Sequence, residues 1–272
     1  MNEPTVDDSL DRRALFDAYA PAQISARIEL AGVAKARLTV IPLFTLATLA
    51  GAFIALGAML YLVAITEHGL GLGPGRLLGG IAFSLGLVLV VIAGAELFTG
   101  NCLIVMAYAD GLIAGRELVY NWIVALLGNL AGALATAFML YLAGTMSMGE
   151  GAVLATLHGV VAAKTDLSWM EAFMRGVLCN VLVCLAVWLS YAARSATGKL
   201  LCVIFPVAAF VALGFEHSVA NLFLFPLAIL SGLELTLGAM LGNLVPVILG
   251  NIVGGGGLVG LVYWSVYGRG AA

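Results

Sequence analysis

Six stretches of this chain are apolar for long enough to cross a lipid bilayer. They run at about 38–65, 77–109, 118–143, 172–193, 200–231 and 238–267. A hydrocarbon layer about 30 Å thick needs roughly 20 apolar residues of helix to span it, so each block suffices. Composition agrees: 62% of the 272 residues are hydrophobic and 10% are charged, and the mean hydropathy is +1.10. Such a chain has too little polar side chain to cover a soluble domain. The expected fold class is an all-α membrane protein with a channel domain over 38–268, and no separate soluble catalytic domain fits.

Residues 1–37 are mixed in character. Leu15, Ala18, Tyr19, Ala22 and Ile24 through Ile28 are spaced as on an amphipathic helix lying at the membrane surface. The opening residues lack the basic and apolar regions of a secretory signal, so the first span directs insertion and the N-terminus is retained. The 144–171 connector is the longest, and its length suggests a cover. Lysines and arginines are retained on the cytoplasmic side. An even number of spans puts both termini on one side, with Arg12, Arg13, Arg27, Lys35, Arg37, Arg116, Arg194, Lys199 and Arg269 beside them and Arg76, Lys164 and Arg175 opposite. That asymmetry places both termini in the cytoplasm of a multi-pass cell (inner, plasma) membrane protein. With 12 basic and 15 acidic residues and no basic run, nucleic-acid partners are excluded. Cys102, Cys179, Cys184 and Cys202 lie inside apolar blocks without paired ligand spacing, so no metal, disulfide or cofactor is expected.

Two blocks, 77–109 and 200–231, are too long for simple spans and are expected to be tilted or broken. Each carries a related polar run: Gly94-Ala95-Glu96-Leu97-Phe98-Thr99-Gly100-Asn101 and Gly214-Phe215-Glu216-His217-Ser218-Val219-Ala220-Asn221. The correspondence continues in the runs from Asn121 through Asn129 to Gly132 and from Asn243 through Asn251 to Gly254. This is an internal repeat, over about 38–143 and 172–267. Each unit has three spans, so the second copy is inverted, and matching broken helices in inverted repeats mark a transport site. The asparagines and glycines also suit close helix approach and interhelical hydrogen bonds.

Glu96, Glu216 and His217 are the ionisable residues well inside the blocks. Irregular backbone at such depth survives only where it is buried in protein or lines a cavity. A structural role explains the paired glutamates, each accepting backbone N–H groups freed by its helix break. His217 breaks the symmetry, because Leu97 stands in its place in the first repeat, so holding the fold does not explain it. A histidine at such a break can donate to an anion and titrate near neutral pH. Thr99 offers a hydroxyl, either as an N-cap of the second half-helix or to a substrate. Half-helices beginning near Asn101 and Asn221 would aim their positive ends at the membrane centre and favour an anion there. Phe83, Leu87, Leu97, Val183 and Phe210 lie on helices around that centre, where core or lipid packing accounts for them.

The runs GAELFTGN at 94–101, RGVLCNVLVCLAVW at 175–188, GFEHSVAN at 214–221 and GNIVGG at 250–255 resemble the formate/nitrite transporter family. The resemblance covers the whole membrane part. It implies an aquaporin-like protomer of six helices, a homopentamer with one pore per protomer, and passage of a small monovalent anion: formate, nitrite or hydrosulfide. By the same resemblance Thr99 and His217 are the central polar pair with Asn180 and Glu216 nearby. Phe83, Leu87, Leu97, Val183 and Phe210 are constrictions, and Lys35 and Lys164 are vestibule lysines, although a solvated loop charge is their reading unaided. Glu96, Asn101 and Asn221 belong to the breaks. Pro226 and Asn243-Leu244-Val245-Pro246 point toward the formate branch, whereas Gly100-Asn101 leaves nitrite or hydrosulfide open. The expectation is a proton-linked channel. An aquaporin-like channel for neutral solutes and an intramembrane enzyme using Glu96, Glu216 and His217 are its rivals.

Overall fold

The computed structural model describes residues 18–268. Leu15, Arg12, Arg13 and Arg269, used above for amphipathicity and charge asymmetry, lie outside them. Among the described residues ten longer helices follow one another in two sets of five. The first set is α1 (Pro21–Ala36), α2 (Val40–Ile65), α3 (Leu72–Gly94), α4 (Phe98–Ala109) and α5 (Gly115–Leu142). The second is α6 (Ala152–Thr165), α7 (Trp169–Ala192), α8 (Ala196–Ala212), α9 (Ser218–Leu230) and α10 (Leu237–Tyr267). The protein is an all-helical membrane protein built as two inverted repeats.

Both long blocks are broken where the glycines stand. Gly94 has φ +84° and Gly214 φ +73°, a left-handed backbone that side chains with a Cβ avoid. After each glycine the chain makes the same closing bond: Ala95 N donates to Val90 O and Phe215 N to Phe210 O, both at 3.0 Å. The reverse turn is therefore built identically twice. Three extended residues later a new helix starts, at Phe98 in one repeat and Ser218 in the other. The half-helices begin three residues before Asn101 and Asn221.

Close helix contacts depend on the asparagine and glycine runs. A Cβ on Gly132 would collide with Thr48 O, and one on Gly51 with Asn129 O, so α2 and α5 touch backbone to backbone. In the second repeat Gly250 and Gly254 meet Phe173 O and Val177 O in the same way, which seats α10 on α7. Small residues permit such approach where lipid offers no hydrophobic drive between helices. Leu49, Leu56, Ile123, Leu127 and Phe138 are exposed and form part of the apolar outer surface.

One connector departs from expectation. Residues 144–171 are not simply a loop: they contain α6, entered through the non-helical Met148, Gly149 and Glu150. By length and hydropathy the stretch Thr145–Thr165 qualifies as a membrane-crossing helix. Its α-helical part has 14 residues, about 21 Å at 1.5 Å per residue, too short to cross. α6 is the second-repeat counterpart of α1, whose Ile24, Ile28 and Gly32 are buried, with Gly32 set against Ile104 and Ala107 of α4.

Candidate functional site

The backbone at each break is held by one buried asparagine. Asn129 Oδ1 accepts from Phe98 N at 2.9 Å, while its Nδ2 donates to Ala47 O at 2.8 Å and Glu96 O at 3.0 Å. Asn251 does the same in the second repeat: Oδ1 accepts from Ser218 N at 3.0 Å, and Nδ2 donates to Gly176 O at 2.8 Å and Glu216 O at 3.1 Å. The amide thus caps the new half-helix and fastens the extended strand to a neighbouring span. The glutamates do not do this, contrary to the sequence-based expectation that they receive the freed N–H groups.

The glutamate carboxylates instead meet lysines. Lys35 Nζ donates to Glu96 Oε1 at 2.8 Å and to Asn101 Oδ1 at 3.1 Å. Asn101 Nδ2 donates to Glu96 Oε2 at 2.8 Å and Asn121 Oδ1 at 2.9 Å, and Asn121 Nδ2 returns to Lys35 O at 3.0 Å. The second ring has the same members in the same order. Lys164 Nζ donates to Glu216 Oε1 at 2.8 Å, Asn221 Nδ2 to Glu216 Oε2 and Asn243 Oδ1 at 2.7 Å each, and Asn243 Nδ2 to Lys164 O at 2.9 Å. Each lysine sits in the last turn of its helix, α1 or α6, where a cation also suits the helix dipole. Neither is a solvated loop charge, and each faces a carboxylate that cancels its charge nearby.

Between the breaks a side chain of each repeat meets the other at Thr99 and His217. Thr99 Oγ1 and His217 Nε2 are 3.1 Å apart and buried. His217 is the N-cap of α9, its Nδ1 accepting from Ala220 N at 3.2 Å. An acceptor Nδ1 leaves Nε2 as the protonated nitrogen of the neutral ring, so Nε2–H donates to the threonine hydroxyl. Thr99 does not cap its half-helix. Asn180 stands behind Thr99, donating from Nδ2 to Thr99 O at 3.1 Å and Asn251 O at 2.6 Å, and Cys184 Sγ lies 3.4 Å from the same Thr99 carbonyl. Phe210 stacks on the imidazole with centroids 5.9 Å apart, and Phe83 meets both rings edge to face at 5.7 and 6.3 Å.

Two cavities flank this contact. The first, about 390 Å³, is lined by Lys35, Glu96 and Asn101, with Leu87 and Leu97 in its wall and Lys199 also lining it. The second, about 650 Å³, is lined by Lys164, Glu216, His217, Phe83 and Phe210, together with Arg76 and Arg175. Leu87 and Leu97 in the first lining and Phe83 and Phe210 in the second are all at most 4% exposed, and Thr99, in neither lining, is itself fully buried. Val183, also buried, is the one expected constriction residue in neither lining.

The sequence of residues 22–265 matches the family model described as formate/nitrite transporter. The chain belongs to the formate/nitrite transporter family. It is 40% identical to the formate channel FocA of Escherichia coli (strain K12), with 93% of this chain and 95% of the relative covered. Among solved structures it resembles a pentameric formate channel with formate bound, at 40% identity and a TM-score of 0.78, covering 84% of this chain and 97% of the other. It also resembles an ion channel of the same family at 31% identity and a TM-score of 0.82, covering 89% and 98%. Membership in a family of channels and transporters sets aside the intramembrane enzyme.

The structure brings Thr99, His217, Phe83 and Phe210 together, and places Asn180 behind the threonine rather than in a cavity lining. Asn121, Asn129, Asn243 and Asn251, suited by the repeat to interhelical hydrogen bonds, also cap the half-helices and close the lysine–glutamate rings, roles that the sequence alone does not assign them. Tyr61, which no motif in the sequence marks, lines the second cavity and meets Phe83 edge to face at 6.4 Å.

Proposed function

We propose that this protein is a channel through which formate and kindred small weak-acid anions cross the cell membrane with a proton. The observation that carries the reading is the buried Thr99 and His217 contact, closed by apolar pairs and approached from two cavities of net positive charge. Formate is named first because the relative and the solved neighbour quoted above are called formate channels; nitrite and hydrosulfide are the alternatives. A homopentamer with one pore per protomer is the assembly that agrees with the pentameric neighbour. Both termini face the cytoplasm, the orientation that the distribution of lysine and arginine supports.

An anion drawn into either cavity loses water as it passes Leu87 and Leu97 or Phe83 and Phe210. Desolvation penalises its charged form and raises its pKa, so it takes up a proton, from vestibule water or through His217, and crosses as the neutral acid. The half-helices α4 and α9 present their positive ends near the centre and favour the anion up to that point. There Nε2–H of His217 points at Thr99 Oγ1, which leaves the threonine's own hydroxyl hydrogen to donate to a carboxylate oxygen. Asn180 holds the Thr99 backbone in place for this exchange. Thr99 and His217 thus offer the substrate replacement hydrogen bonds where water is shut out.

The test is uptake into proteoliposomes challenged in turn with formate, nitrite, hydrosulfide and lactate. Formate uptake well above empty liposomes supports the reading. Uptake of nitrite or hydrosulfide without formate moves the substrate within the family, and no uptake of any of them by folded protein overturns it.

A further inference from the structure

The charges that line the two cavities do not sum as their best-placed lysines suggest. Lys35 and Lys164 each lie 2.8 Å from a glutamate oxygen, and at any distance beyond a few ångströms such a pair acts as a dipole rather than a cation. In the first cavity the remaining ionised side chain is Lys199; in the second they are Arg76 and Arg175. None of the three has a carboxylate within 4.0 Å among the described residues. Lys199 stands near the start of α8, where nothing but Ser195 O receives its backbone N–H, and its side chain is half-buried. Arg76 is held by Nη1 donating to Ala212 O at 3.0 Å, a neutral acceptor that fixes the guanidinium without cancelling it. Glu171, one turn before Arg175, interacts with it electrostatically but is exposed, where solvent screens the pair, and lines neither cavity.

We propose that Lys199 on one face, and Arg76 with Arg175 on the other, are the residues that draw anions into the pore, whereas Lys35 and Lys164 serve as struts in their hydrogen-bonded rings. The inference rests on the anion-channel reading. A cleft with low-dielectric walls focuses the field of a net charge and raises the local concentration of the opposite ion. The lysine, arginine and glutamate side chains sum to one positive unit in the first cavity and two in the second, so each mouth presents a positive potential to an approaching anion. Once past these residues the anion meets Lys35 or Lys164 with the charge already answered, and nothing traps it there.

The experiment is initial formate uptake into proteoliposomes by the full-length protein and the variants Lys199→Gln, Lys199→Arg and Arg76→Gln/Arg175→Gln. Uptake is measured at about 0.01 M and about 1 M ionic strength, set with an impermeant salt, where Debye lengths are about 30 Å and about 3 Å. Wild-type uptake falls as salt rises. Each neutralised variant loses about two- to fourfold at low salt, converges on wild type at high salt, and so shows a flatter salt dependence, while Lys199→Arg keeps the wild-type slope. A purely structural defect would lower uptake equally at both salts, and that result overturns the proposal, as do neutralised variants with the wild-type slope. Wild-type protein that carries no formate at either salt overturns the underlying channel reading instead, a different outcome from an unchanged slope.

Discussion

Thr99 of the first repeat and His217 of the second meet at 3.1 Å across the pseudo-symmetry that relates the two lysine–glutamate pairs and the two asparagines at the breaks. They are not equivalent residues: Leu97 holds the position of His217, and Val219 that of Thr99. The symmetric residues build the frame, and this asymmetric pair occupies its centre.

Replacing Thr99 by Val keeps shape and removes the hydroxyl. The Thr99 carbonyl still accepts from Asn180 Nδ2, so the fold should stand. The acid loses one hydrogen-bond partner in a water-excluded site, which costs about 1–3 kcal/mol. Formate uptake by Thr99→Val should therefore fall by about five- to 150-fold, with a lower melting midpoint in detergent because the buried Nε2–H of His217 loses its acceptor, as uptake and thermal unfolding measured on one preparation would show.

Asn129→Ala and Asn251→Ala should destabilise the protein to a similar degree. Each strips a buried N–H and two carbonyls of their partner, and each unsatisfied buried group costs about 1–3 kcal/mol. Thermal unfolding in detergent should show a lower midpoint for both. A normal midpoint in either would mean that water takes over the amide's bonds.

Glu216→Gln removes the charge that answers Lys164, whose side chain is 15% exposed. Breaking a largely buried pair by removing one partner costs about 3–5 kcal/mol because the other charge is left uncompensated. The double variant Lys164→Met/Glu216→Gln should recover part of that loss. A double-mutant cycle on thermal stability, run also for Lys35 and Glu96, checks whether the two rings are energetically alike.

Gly132→Ala and Gly254→Ala each put a Cβ into a backbone carbonyl, Thr48 O and Val177 O respectively. Because the obstacle is backbone, a whole span must shift. Both variants should be markedly less stable, while Gly257→Ala, with open space around it, should not. Midpoints in one detergent series separate these cases.

Much of this was legible in the sequence because membrane-spanning chains carry strong signals. Apolar runs located the spans, and a charged residue inside such a run at Glu96 and Glu216 located the breaks. The repeat of Asn121 and Asn129 in Asn243 and Asn251 gave the inverted symmetry. What could not be read was which polar atoms pair: Asn129 caps Phe98 across 31 residues and Lys35 meets Glu96 across 61, contacts that no local period encodes. α6 was missed as a helix because 14 residues are too few for a span and its composition does not separate it from a connector. The role of Asn180 depends on depth behind Thr99, which spacing along α7 does not give.

The central claim is that a proton accompanies the anion through the Thr99 and His217 contact. The most direct measurement is formate uptake and lumenal acidification recorded together, with an internal pH dye, in proteoliposomes carrying wild type or His217→Phe at two external pH values. The account predicts acidification in step with wild-type formate entry, faster at the lower external pH, and a large loss of both signals in the variant. A His217→Phe protein with wild-type flux and an unchanged pH profile would contradict the part assigned to the histidine, and formate entry without acidification in wild type would contradict proton linkage itself.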